Sequence, residues 1–280
     1  MNQATNRGGN RAPRKKKKKR SFAAVILAIV LAAVLCLAGL IAVVYASGIR
    51  YIKVNVTEDL YVKFLGKVDE NGKPYKGRLI YSDGVSADVN LDREEISYSN
   101  GDVYTGGLDN LLKNGEGQII YANGDTYVGT FANDLISGTG TYTYVSGDVY
   151  VGMFEDGVKS GTGTYTFADG SVYEGEFAND KKNGSGEYRY ASGDVYIGSY
   201  TDDMKNGSGI YTWKNGDVYE GAYVNDVRSG IGTYTWASGE SYTGEFKDNI
   251  LSGAGTYSWP SGRVYKGYFE NGIIIRAETP

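Results

Sequence analysis

Residues 123–144 read NGDTYVGTFANDLISGTGTYTY, and this pattern returns every 23 residues, without insertion, from Gly101 to Gly262. Each turn glycine, such as Gly124, is followed three residues later by a tyrosine, such as Tyr127. A second glycine (Gly129) comes two residues on, and a large apolar residue (Phe131) two beyond that. The second half of the unit carries a Gly-x-Gly pair, Gly138 and Gly140, and then Tyr142 and Tyr144. Residues at i, i+2 and i+4 of a strand share one face. Tyr127, Gly129 and Phe131 therefore fall on the same face as Gly138, Gly140, Tyr142 and Tyr144. Thr139, Thr141 and Thr143, or Glu174 and Glu176 in a later repeat, take the opposite face, which suits water. Each unit reads as a β-hairpin. Asn123-Gly124 is expected to form a two-residue turn, because both residues tolerate positive φ. Ala132 to Ser137 is expected to form a longer polar loop.

A sheet of such hairpins has no second layer to cover its apolar side. The glycines leave gaps there, and rings from adjacent strands are expected to lie over them. No unit is stable alone; each buries its rings against the next. The expected fold class is an all-β repeat: an elongated single-layer antiparallel sheet of about eight 23-residue hairpins, preceded by one transmembrane helix. The spacing closely resembles the membrane occupation and recognition nexus (MORN) repeat, G-x-x-Y-x-G-x-[FW]-x-x-G-x-x-x-G-x-G. The likeness covers about seven and a half repeats, Gly101 to Gly272. One departure is Asp134, Asp180 and Asp226, where the family usually has an inter-strand glycine. The resemblance implies a twisted sheet of hairpins with scaffold, interaction or lipid-contact roles, and no catalysis by the repeats. Family members are commonly cytoplasmic, whereas the reading below faces this array outward.

Outside the array the chain divides by composition. Residues 1–21 are polar and end in the basic run Arg14–Arg20; with nothing apolar to bury, a disordered cytoplasmic tail is expected. Residues 22–46, FAAVILAIVLAAVLCLAGLIAVVYA, hold no charge. At 1.5 Å per residue a helix of that length reaches ~37 Å, enough for a hydrocarbon core of ~30 Å. It is longer than the apolar part of a signal peptide, although Val44 and Ala46 offer a cleavage-like spacing. Nine Lys or Arg precede it, so the positive-inside rule places the N-terminus in the cytoplasm and the repeats outside a cell membrane. Residues 47–100 read as a juxtamembrane stem and a degenerate capping repeat, 101–272 as the array, and 273–280 as the C-terminal end.

The same composition limits function. Residues 47–280 hold 20 basic (29 less 9) and 33 acidic residues, a net of −13, which argues against nucleic acid as a partner. Histidine is absent and the lone Cys36 lies in the apolar segment, so no His-based catalysis, disulfide or cysteine metal site is expected. No Gly-x-Gly pair opens a helix, which removes phosphate-loop readings and any cofactor. The turn acids Asp102, Asp125, Asp148, Asp194 and Asp217 suit turn capping better than a Ca²⁺ row, and a glycosidase pair would not be copied into every repeat. The chain is read as a non-enzyme. One aromatic ladder, Tyr121, Tyr144, Phe167, Tyr190, Trp213, Trp236 and Trp259, shifts from Tyr to Trp along the array. Its rings are either core or a partner surface, and Tyr144, Phe167, Tyr190, Trp213, Trp236 and Trp259 are the candidate contacts. The favoured function is a membrane-anchored scaffold for a protein partner. The alternative is a cell-wall or carbohydrate-binding protein whose ladder stacks on a glycan.

Overall fold

The computed structural model describes residues 22–92 and 95–277. The basic run and the last three residues lie outside that set. Among the described residues, one helix, Phe22–Ala46, is followed by 21 strands in a single open antiparallel sheet. The helix belongs to one compact unit, and the chain from Arg50 onward to a second. Over Ile29–Ala46 it is long and apolar enough to cross a membrane, a property that a signal sequence shares.

Each strand of the array pairs with its neighbours in sequence. Thr126–Ala132 lies between Leu112–Ile120 and Leu135–Thr143. Gly129 faces Gly117 on one side and Gly140 on the other, and Tyr127 faces Ile119 and Tyr142. The 23-residue period therefore aligns like with like: glycines form one row across the sheet and tyrosines another.

The two connections are the reverse of the sequence expectation. Ala132 pairs with Leu135 across Asn133 and Asp134, both at positive φ (50° and 72°). This is the two-residue hairpin turn, because Asn and Asp reach the left-handed region at modest cost and its twist matches the strands. Asn123-Gly124 instead belongs to a three-residue loop. Gly124 N donates to Tyr121 O and Tyr121 N to Asp125 O, both at 2.9 Å, and within it only Gly124 is left-handed (φ 94°).

The tyrosine row is the centre of the core. Tyr104, Tyr127, Tyr150, Tyr173, Tyr196, Tyr219 and Tyr242 are fully buried. Each ring lies flat along its own hairpin. A Cβ at Gly175 would meet the Tyr173 hydroxyl at 2.5 Å, and one at Gly186 would meet the same ring's Cζ at 2.6 Å. The ring over Gly175 thus comes from its own strand, two residues back, not from a neighbouring strand as expected; only Gly186 is covered from across the hairpin. The register slips between Gly129 and Phe131, so Thr130 is a bulge residue. Tyr127 Oη donates to the Thr130 carbonyl at 3.1 Å, and the same bond recurs from Tyr104 (to Gly107 O, 3.0 Å) to Tyr242 (to Glu245 O, 3.0 Å). Phe131 stands edge-on to Tyr104 at 5.1 Å and to Tyr127 at 5.3 Å, wedging one repeat into the next. Burying such a Phe side chain contributes roughly 1.5–3 kcal/mol.

Residues 47–100 contribute strands Ile49–Asn55, Tyr61–Val68, Pro74–Tyr81, Ser86–Asn90 and Glu95–Tyr98 to the same sheet. Their core is mostly aliphatic, with Val62, Leu79, Val89 and Ile96 buried. Phe64 performs the tyrosine's task there, lying 2.8 Å from a Cβ placed at Gly66 and 3.0 Å from one at Gly77. At the far end, Ile273–Ala277 adds a last strand against Val264–Glu270.

Candidate functional site

The ring face of the array carries two aromatic rows. Beside the buried tyrosines runs a second, half-buried row that contains every candidate contact: Tyr144, Phe167, Tyr190, Trp213, Trp236 and Trp259. Each pairs closely with the tyrosine two residues before it, from 4.2 Å for Tyr188–Tyr190 to 4.7 Å for Tyr234–Trp236. Wider steps of 5.2 Å (Trp213–Tyr234) to 5.9 Å (Tyr144–Tyr165) join one pair to the next. The result is a continuous ladder from Tyr121 to Trp259. Its inner edge packs on the core, for instance Tyr150–Tyr165 at 6.5 Å, and its outer edge remains open.

A row of cations lines this ladder, and the sequence reading missed it. Lys113, Lys159, Lys182, Lys205 and Arg228 all occupy the second residue of a hairpin's returning strand. Lys159 Nζ sits 5.2 Å from the Tyr165 ring and 5.7 Å from Tyr144 and Tyr150. Lys205 is held likewise by Tyr190, Tyr196 and Tyr211. Arg228 lies 5.5 Å from Trp213 and 5.4 Å from Tyr234. These cations bridge the two rows through cation–π contact. Burial lowers the Lys182 and Lys205 amines below their ordinary range. The signal was a basic residue two places before the Gly-x-Gly pair. It was obscured because Ile136 and Leu251 take the position in two other repeats.

Carboxylates flank the ladder on both sides. On the tight-turn side, Asp134 Oδ1 accepts the Lys113 amide at 2.8 Å and lies 3.3 Å from Lys113 Nζ. Asp180 and Asp226 do the same for Lys159 and Lys205, with amide bonds of 2.9 Å and Nζ at 3.9 and 3.8 Å. This staple to the preceding repeat is the physical reason for aspartate where a glycine turn would serve. On the loop side, Asp125 Oδ1 accepts the Val145 amide at 2.8 Å and Oδ2 the Tyr142 hydroxyl at 3.0 Å. Asp148, Asp194 and Asp217 repeat the arrangement with Tyr165, Tyr211 and Tyr234. The backbone amide bonds hold these four carboxyls below the usual range, against the opposing effect of burial. Burial in turn pushes the Tyr234 hydroxyl up to about 12. The turn acids are therefore committed to stapling successive repeats. Among the described residues, no group of three or more His, Cys, Asp or Glu could hold a metal ion.

The MORN-repeat model matches seven consecutive units, residues 104–126, 127–149, 150–172, 173–195, 196–218, 219–241 and 242–262. The chain belongs to the MORN-repeat family. MORN repeats are modules for interaction with proteins or membranes, and the array described above is such a scaffold. No curated protein matches the chain. Among solved structures, it is similar to the TCP10 domain of Danio rerio CPAP, with 16% identity over 70% of this chain and 96% of that one, TM-score 0.39. The TCP domain of Drosophila melanogaster SAS-4 (dCPAP) gives 14% identity over 73% and 97%, TM-score 0.33. A streptogramin B lyase gives 14% over 80% and 84%, TM-score 0.16. At such identities and scores these likenesses carry nothing about function.

Proposed function

We propose that this MORN protein is a non-enzymatic scaffold, tethered by Phe22–Ala46, that holds a protein partner on the aromatic–cation face outside a cell membrane. The observation that carries the reading is the ladder's open outer edge. Rings serving only as core have no need to form an uninterrupted half-buried row flanked by cations. Tyr, Trp and Arg are also the side chains that dominate binding energy at protein interfaces. The indoles Trp213, Trp236 and Trp259 concentrate contact area in the C-terminal repeats. The nine basic residues before the helix support this orientation.

The test is a photoreactive amino acid placed at Tyr190 or Trp259 in intact cells. Crosslinking to one protein supports the reading. Capture of wall polysaccharide would move it to glycan binding, and no adduct at either position would remove the ladder as a contact surface. A C-terminal tag digested by external protease supports the orientation, and a protected tag reverses it.

A further inference from the structure

The opposite face of the sheet carries a second feature, where the repeat loses its regularity. The glycine row forms the floor of a trough on this face. Its walls are the residues flanking each glycine. One wall runs Ile197, Ile210, Glu220 across successive strands, with Ile197 paired to Ile210 and Ile210 to Glu220. The other wall holds Ser208, Ile231 and then Glu245, with Ile231 paired to Glu245. Ile197, Ser208, Ile210, Glu220 and Ile231 line a cavity of about 610 Å³ together with the glycine floor. The isoleucines are open to solvent at 51%, 39% and 64% for Ile197, Ile210 and Ile231. Other repeats mostly place polar residues at two of these positions: Thr141, Thr164 and Thr233 correspond to Ile210, and Thr139 and Thr162 to Ile231, while the counterparts of Ile197 include Val128 and Val151 as well as Thr105 and Thr243. Threonine serves at the Ile210 and Ile231 positions in other repeats, so exposed isoleucine at both, beside Ile197, calls for an apolar partner.

We infer that this trough docks an extended segment of a partner protein in which basic side chains follow aliphatic ones. The apolar walls fix the aliphatic half. Charge fixes the other half, because each isoleucine patch ends in a carboxylate, Glu220 or Glu245, and neither enters an ion pair among the described residues. Further along the same trough, Glu174 and Glu187 stand directly opposite each other, an arrangement that destabilises a bare sheet. Only Glu187 is neutralised from within, by Arg189 at 2.8 Å. A segment with Lys or Arg following its aliphatic residues relieves these carboxylates while the aliphatic side chains cover the isoleucines. This site is distinct from the ladder and does not depend on it.

The test uses the full chain in nanodiscs of zwitterionic lipid, with a fluorescent Val-Val-Val-Arg-Lys-Arg peptide and empty nanodiscs as background. Saturable binding is expected, falling as salt rises. The triple variant Ile197→Thr/Ile210→Thr/Ile231→Thr is expected to weaken it at least tenfold. Glu220→Gln/Glu245→Gln should weaken it about fivefold and flatten the salt dependence. Val128→Thr/Val151→Thr, on the same face but outside this patch, should leave it within twofold. An unchanged denaturation midpoint for the isoleucine variant shows that the fold is intact. No saturable binding, or equal binding by the triple variant, overturns the inference. A photoreactive group at position 210 that crosslinks only to the chain's own basic run, Arg14–Arg20, overturns it as well.

Discussion

The two faces of this sheet are built from alternate residues of the same strands, yet they follow different rules. On the ring face, Tyr173 is fully buried, bonds the Glu176 carbonyl at 3.0 Å and covers two glycines. On the other face, one residue away, Glu174, Ile197 and Thr243 fill equivalent positions in different repeats. The ring face therefore holds the fold, and the other face takes residues that the fold itself does not dictate. A single-layer sheet stays stable by concentrating its packing on one side.

The sharpest way to break this contrast is to remove a central ring. Tyr173→Ala should cost about 3–5 kcal/mol, with Phe177 and Tyr200 losing their edge-on partner. Glu174→Ala, its neighbour on the open face, should stay within about 0.5 kcal/mol. Chemical denaturation of both variants checks this, and equal losses would dissolve the distinction between the faces.

Gly175→Val comes next. A Cβ there meets not only the Tyr173 hydroxyl but also the Gly186 Cα and the Ser185 carbonyl, both at 2.6 Å, and backbone cannot swing aside. A loss of about 3 kcal/mol is expected although valine favours strands. A midpoint at or above that of the unchanged chain would contradict the close packing.

Much of this was legible in the sequence. The repeat period gave the hairpins, the face of each ring and the glycine row. The two connections are read the wrong way round, because Asn-Gly fits either a two-residue turn or the end of a three-residue loop. The deciding fact was the pairing of Ala132 with Leu135. The cation row was hidden by its position beside a turn, where lysine is ordinary on a solvated surface. The choice of aspartate at Asp134, Asp180 and Asp226 made sense only once each was seen to reach 21 residues back to Lys113, Lys159 or Lys205.

The staples give a pH dependence of intermediate size. Asp125, Asp148, Asp194 and Asp217 have folded pKa values below their unfolded ones. Their contribution is thus complete above the ordinary carboxylate range and is lost as pH falls below about 4 through the folded values. The denaturation midpoint should be level from pH 7 to 5 and fall in stronger acid. Changing all four to Asn should lower the plateau and flatten the fall. A fall of unchanged steepness in that variant would place the acid sensitivity elsewhere.

A smaller effect isolates the tyrosine hydroxyl. Tyr150→Phe keeps the ring over its glycines and removes only the bond to the Met153 carbonyl, 3.0 Å long. A cost of about 1 kcal/mol is expected, measured as a shift in midpoint with unchanged slope. No shift would mean that water replaces the hydroxyl without loss.

The central claim is that the half-buried ladder serves as a contact surface as well as core. Trp236, which packs at a tilt between Tyr234 at 4.7 Å and Tyr257 at 5.4 Å, tests it most directly. With the crosslinked partner in hand, Trp236→Phe should weaken its affinity by about 1 kcal/mol or more while the denaturation midpoint barely moves. Tyr144→Phe, in an N-terminal repeat, provides the matched control, with both quantities measured in the same way. A Trp236→Phe variant that loses stability yet binds the partner as tightly as before would contradict the account and leave the ladder as core alone.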